Sequence, residues 1–104
     1  MFYTKRRGGR ILQTELREML IDKMTENLPV LRKKLKLSQE TLANLIGSSR
    51  HTVMLMESGK RRMTWNTFLS LVLLFDKNED TSMLLKALGI YTNELDDTLR
   101  QTGK

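Results

Sequence analysis

The segment QETLANLIGSSRHTVMLMES, Gln39–Ser58, decides the fold. Ser38 precedes it and is a good N-cap, because its hydroxyl can accept a first-turn backbone N–H. Gln39 to Ile46 reads as a short helix with Leu42, Leu45 and Ile46 apolar and Ala43 small. Gly47 stops it, since a helix that ends in a left-handed residue favours one without a Cβ. Ser49 caps a second helix, Arg50 to about Glu57, and Gly59 ends that one. Two short helices over so brief a turn cross steeply. The crossing needs a small residue at the closest approach, which Ala43 supplies, and apolar pegs from both helices. Leu42, Ile46, Val53 and Met56 stand in that register. Each feature alone is weak evidence; together, in register, they predict a helix-turn-helix.

The flanks extend the helical pattern. Upstream, Pro29 to about Leu35 reads as a helix with Pro at its first position, where a missing N–H costs nothing. Val30, Leu31, Leu35 and Leu37 are its expected buried residues. Before it, residues 12–24 place Leu12, Leu16, Met19, Leu20 and Met24 on one face of another helix. Residues 1–10, MFYTKRRGGR, read as a flexible basic arm, because two glycines and four cations disfavour a helix. Downstream, Thr64 caps a helix from Trp65 to Phe75, apolar on more than one side. Asn78 opens another that ends at Gly89, and residues 92–101 allow a short last one using Tyr91, Leu95 and Leu99. The expected fold is all-α. Its expected parts are a basic arm (1–11), an extra N-terminal helix (12–27), the helix-turn-helix domain (28–90) and a C-terminal extension (91–104), a short helix and then a disordered tail.

Composition narrows the function. The chain has 104 residues, no Cys and one His, which excludes a disulfide framework and thiolate metal sites and leaves little for catalysis. No cofactor, metal or enzymatic activity is expected. Lys and Arg total 18 against 12 acids, for a net charge of +6. Residues 1–62 hold 14 of the bases and 6 of the acids; residues 63–104 hold 4 and 6. Such a surplus favours an anionic partner, nucleic acid before membrane. No apolar run reaches the ~18 residues of a membrane span, and the basic N-terminus lacks the apolar core of a signal peptide, so a cytoplasmic location is the default. Trp65 belongs with Phe68 and Leu69 in a core stripe, and Met56 and Met83 are expected to fill core gaps.

The stretch LRKKLKLSQETLANLIGSSRHTVMLMESGKR, Leu31 to Arg61, resembles the Cro/lambda-repressor-like (XRE) helix-turn-helix family. The resemblance covers roughly residues 28–89. It implies a five-helix lambda-repressor-like domain, the second motif helix in the DNA major groove, and homodimers on palindromic operators. By position in the motif, it implies that Gln39 binds phosphate and that Ser49 contacts phosphate or base while capping. Arg50 and His51 would touch base edges, Arg50 as a bidentate partner of guanine. Thr52 would lie near phosphate, with Ser58, Lys60, Arg61 and Arg62 holding the backbone after the helix. Arg32 and Glu57 match a pair that joins the first and third helices of this family. One departure concerns Met54 and Leu55, where a polar residue is often found. An apolar side chain there cannot hydrogen-bond a base; it can touch a thymine methyl or be covered by protein.

Two functions follow as expectations. The first is a sequence-specific regulator of transcription, a repressor that binds double-stranded DNA as a homodimer. The alternative is an antitoxin or adaptor whose surplus apolar helices hold a protein partner.

Overall fold

The computed structural model describes residues 5–100, with side chains from Thr14 onward, and its regular structure is entirely α-helical. Six helices follow one another: α1 (Lys5–Lys34), α2 (Gln39–Leu45), α3 (Arg50–Glu57), α4 (Trp65–Asp76), α5 (Glu79–Ala87) and α6 (Asn93–Arg100). Helix α1 runs beside α3, α4 and α5, while α2 packs on α3 and α4 on α5. None of these helices is long and apolar enough to cross a membrane.

The two upstream helices expected around a break at Pro29 are one helix of 30 residues, with Pro29 inside it. An interior proline removes the hydrogen bond to the carbonyl four residues back and costs about 3 kcal/mol. Against this stands one continuous apolar stripe: Leu20, Met24, Leu28 and Leu31 are all fully buried. Each such side chain contributes about 1.5–3 kcal/mol when withdrawn from water, so the stripe outweighs the proline and holds both halves in one continuous helix. The Thr25 hydroxyl donates to the Ile21 carbonyl at 2.8 Å and the Asn27 amide to the Lys23 carbonyl at 2.8 Å, within the turns that lead up to Pro29. The expected arm also differs. The helix already begins at Lys5, because extending an existing helix adds a hydrogen bond for each residue fixed. The arm's first four residues, 1–4, lie outside the described residues, as does the tail expected at 101–104.

The core is drawn from every helix. Helix α1 supplies its stripe; Leu42, Ala43, Val53 and Met56 come from α2 and α3; Phe68, Leu71, Val72 and Phe75 come from α4. Leu85 and Leu95 bring in α5 and α6. Two expected core residues face water instead: Val30 is 56% exposed and Met83 67%. Val30 is turned about 100° from Leu31 around the helix, and Thr81 and Leu85 take the inward positions of α5. The Thr81 hydroxyl, buried, donates to the Phe75 carbonyl at 2.6 Å, joining α5 to the end of α4. Trp65 lies at the rim of the core: it stacks on Phe68 with ring centroids 4.7 Å apart, and the Arg17 guanidinium sits 5.0 Å from its centroid.

Helix ends follow two repeated designs. Ser38, Ser49 and Thr64 cap α2, α3 and α4, each accepting the N–H of the threonine three residues on. At the C-terminal end of α2, Gly47 has φ 70° and the Ser48 N–H reaches back to the Ala43 carbonyl at 2.8 Å. This closure satisfies carbonyls that the helix end would leave open. Helices α3 and α5 end with the same reach-back bonds at Lys60 and Ile90. Helix α1 closes likewise, with Leu37 N–H on the Arg32 carbonyl at 3.2 Å, but its left-handed residue is Lys36, at φ 59°. A side chain in that conformation costs about 1–2 kcal/mol. Replacing Lys36 with glycine is therefore expected to raise stability by about 1 kcal/mol after the loss of unfolded-chain entropy, read as a Tm increase of roughly 4–8 °C.

Helix α6 is fastened by a polar cluster as well as by Leu95. The Tyr91 hydroxyl donates to one Asp96 oxygen at 2.9 Å and the Arg100 guanidinium to the other at 2.7 Å. These two bonds, Arg100 first, hold the Asp96 carboxyl below its ordinary value of 3.8. The folded carboxyl thus binds its proton less readily than the unfolded one. Its contribution is present above the ordinary carboxylate range and is lost as pH falls through the lowered folded value. Amide hydrogen exchange in residues 93–100 is expected to accelerate, relative to α4, as pH drops from 5 toward 2, after correction for intrinsic rates; Asp96→Asn should reduce that pH dependence.

Candidate nucleic-acid interface

The turn between α2 and α3 is only four residues, Ile46 to Ser49, and its geometry follows from its sequence. Gly47 supplies the left-handed step, and Ser49 starts α3 with its hydroxyl accepting from the Thr52 N–H at 3.1 Å and donating to the Thr52 hydroxyl at 3.0 Å. Val53 and Met56 then point into the core, which turns Arg50, His51, Met54 and Ser58 outward, with Leu55 half-buried beside them. At about 100° per residue these five positions occupy one continuous face of the helix.

Behind that face, α3 is held by a buried ion pair. Arg32 Nε donates to Glu57 Oε2 at 2.6 Å and Nη2 to Oε1 at 3.1 Å, with the two side chains only 11% and 8% exposed. Arg32 Nη1 donates to the Leu37 carbonyl at 2.9 Å, and the Gln39 amide donates to Glu57 Oε1 at 3.0 Å. The structure thus brings Arg32, Gln39 and Glu57 together. It also shows that Gln39, expected to reach outward to phosphate, already uses its amide nitrogen inside the protein.

The loop after α3 is basic and exposed. Lys60 and Arg61 are open to solvent, and Arg61 Nη1 donates to the Thr52 hydroxyl at 3.3 Å, so the loop leans back on the start of α3. The Ser58 hydroxyl donates to the Leu55 carbonyl at 3.0 Å. Arg62 differs from its neighbours. It donates to Asp22 at 2.7 Å and to Glu18 at 2.5 Å, and also to the Glu18 backbone carbonyl at 3.1 Å. Both carboxylates raise its already high pKa, Asp22 most strongly. Arg62 is thereby directed at α1 rather than at the α3 face, and a cleft of about 290 Å³ between Asp22, Thr25, Glu26, Gly59, Arg61 and Arg62 lies alongside.

The sequence reading passed over a second group of cations. Lys33, Lys34 and Lys36 are all exposed at the turn that feeds α2. The run Arg32-Lys33-Lys34-Leu35-Lys36 was the available signal, since of its four cations only Arg32 is turned inward. Among the described residues no group of His, Asp and Glu is arranged to hold a metal ion, and no buried side-chain polar atom lacks a partner. The surface presents a helix face opened by Arg50 and His51 and flanked by the exposed cations Lys60 and Arg61. No protein-family model, curated protein or solved structure matches the chain.

Removing one member of the ion pair would leave the other buried without its counter-charge. Glu57→Ala is expected to cost about 3–5 kcal/mol, measured by urea unfolding. The double replacement Arg32→Met, Glu57→Leu should recover most of it, because an apolar pair removes the desolvation penalty on both sides.

Proposed function

We propose that the protein is a sequence-specific double-stranded DNA-binding regulator of transcription, a repressor, working as a homodimer on a palindromic operator. The observation that carries this reading is the α2–α3 unit: two short capped helices over a four-residue turn, with a buried inner face and an outer face beginning at Arg50 and His51. On this reading residues 28–90 act as a lambda-repressor-like domain, with the second half of α1 serving as its first helix. Helix α3 lies in the major groove, where Arg50 pairs with guanine O6 and N7 and His51 donates to a base or phosphate. The Ser49 and Thr52 hydroxyls, Ser58, Lys60 and Arg61 hold phosphate and fix register. Arg62 joins them only if it leaves Glu18 and Asp22.

A protein-binding role, as an antitoxin or adaptor, is the second reading. The exposure of Met19, Val30, Leu73 and Met83, on α1, α4 and α5, favours it. The same residues can serve a homodimer.

Sedimentation with random-sequence duplex at low and raised salt tests the first reading. A dimer making about six to ten phosphate contacts should lose roughly 10³–10⁵ in affinity between 50 and 200 mM salt. Arg50→Ala should then cost about 1–3 kcal/mol per half-site on a selected operator. A monomer indifferent to duplex at low salt would overturn the reading and leave the protein-partner role.

A further inference from the structure

Helix α3 carries an apolar step in the middle of its outer face. Arg50 and His51 open the face and Ser58 closes it, but between them stand Met54, 39% exposed, and Leu55, half-buried. Neither is needed to fill the core, which takes Val53 and Met56 from this helix. Neither offers a hydrogen-bond donor or acceptor suited to a base edge. The centre of the face is therefore blind to the donor and acceptor pattern of the major groove, and sensitive to apolar contact alone.

We propose that Met54 and Leu55 read the 5-methyl group of thymine. The inference rests on the DNA-binding reading and specifies what that surface selects. Among the four bases, only thymine presents an apolar group in the major groove. The cations beside the pair make a polyanion the fitting occupant. Arg50 and Arg61 are exposed here, and the only acid of α3, Glu57, is turned inward onto Arg32. Met54 lies four residues beyond Arg50, about 6 Å along the helix axis. That is roughly two base-pair steps of about 3.4 Å, so each half-site should carry thymine within about two pairs of the guanine taken by Arg50.

The test begins with selection of duplexes from a random pool by the full chain, after salt-dependent binding to the unselected pool has been measured. The selected duplex is then made with deoxyuridine replacing thymidine at one position at a time, which removes the methyl and leaves the pairing unchanged. One position per half-site should lose affinity by a factor of about four, the worth of one buried methyl. Met54→Gln, an exposed and length-conserving change, should abolish that discrimination while leaving the salt dependence as it was; Leu55→Ala should reduce it. If the selected duplex binds equally well when every thymidine is replaced, the methyl-reading role is wrong although DNA binding stands. The same holds if Met54→Gln and Leu55→Ala both keep the full thymidine preference. If the chain binds no duplex at low salt, both readings fall, and a protein that covers Met54 becomes the occupant to seek.

Discussion

The position of α3 depends on one carboxylate. Glu57 is the last residue of that helix, and its two oxygens accept from Arg32 on α1 and from Gln39 at the first turn of α2. Arg32 also donates to the Leu37 carbonyl, in the turn between α1 and α2. Four chain segments therefore meet on one charge pair. A buried pair of this kind contributes little net stability, since desolvation offsets attraction. Its value here is directional: bidentate geometry fixes the approach of both partners. Apolar contacts among Leu42, Val53 and Met56 hold α2 and α3 together but tolerate sliding; the ion pair fixes where that unit stands on α1.

Much of this was legible in the sequence, and for identifiable reasons. Caps and glycine stops act within a few residues, so Ser38, Gly47, Ser49, Gly59 and Thr64 mark helix ends where the structure has them. The alternation of Leu42, Val53 and Met56 with exposed positions likewise gave the buried face of the two short helices. What escaped was decided over longer range. Pro29 reads locally as a helix start, and only the burial of Leu20, Met24, Leu28 and Leu31 against other helices reveals one helix running through it. Lys36 carries no local sign that it closes a helix in a left-handed conformation. The inward or outward turn of Met83 depends on how α5 rotates against α4, which Thr81 sets through its bond to the Phe75 carbonyl.

The candidate surface was readable in part. Arg50 and His51 face outward because Val53 and Met56 face in, an inference that helical periodicity permits. Arg62 was beyond that reach. Its partners Glu18 and Asp22 lie 44 and 40 positions away in sequence, and nothing near Arg62 distinguishes it from Arg61. The charge imbalance between the two halves of the chain is thus not all on offer to a partner. Arg32, nearly buried, and Arg62, at the surface, are each paired with carboxylates of this chain, while no such ion pair holds Lys33, Lys34, Lys36, Lys60 or Arg50 among the described residues.

The continuity of α1 has a mechanical consequence. Two attachment points lie along it, Arg62 on Glu18 and Asp22, and Glu57 on Arg32, and the helical turns between them set their relative phase. One residue inserted or deleted between Asp22 and Arg32 would turn one point about 100° and shift it about 1.5 Å against the other. Leu20 and the clasp on Arg62 could then no longer face the body while Leu31 and Arg32 kept their places. The stretch 23–31 therefore acts as a fixed-length spacer whose side chains outside the core can vary while its residue number cannot.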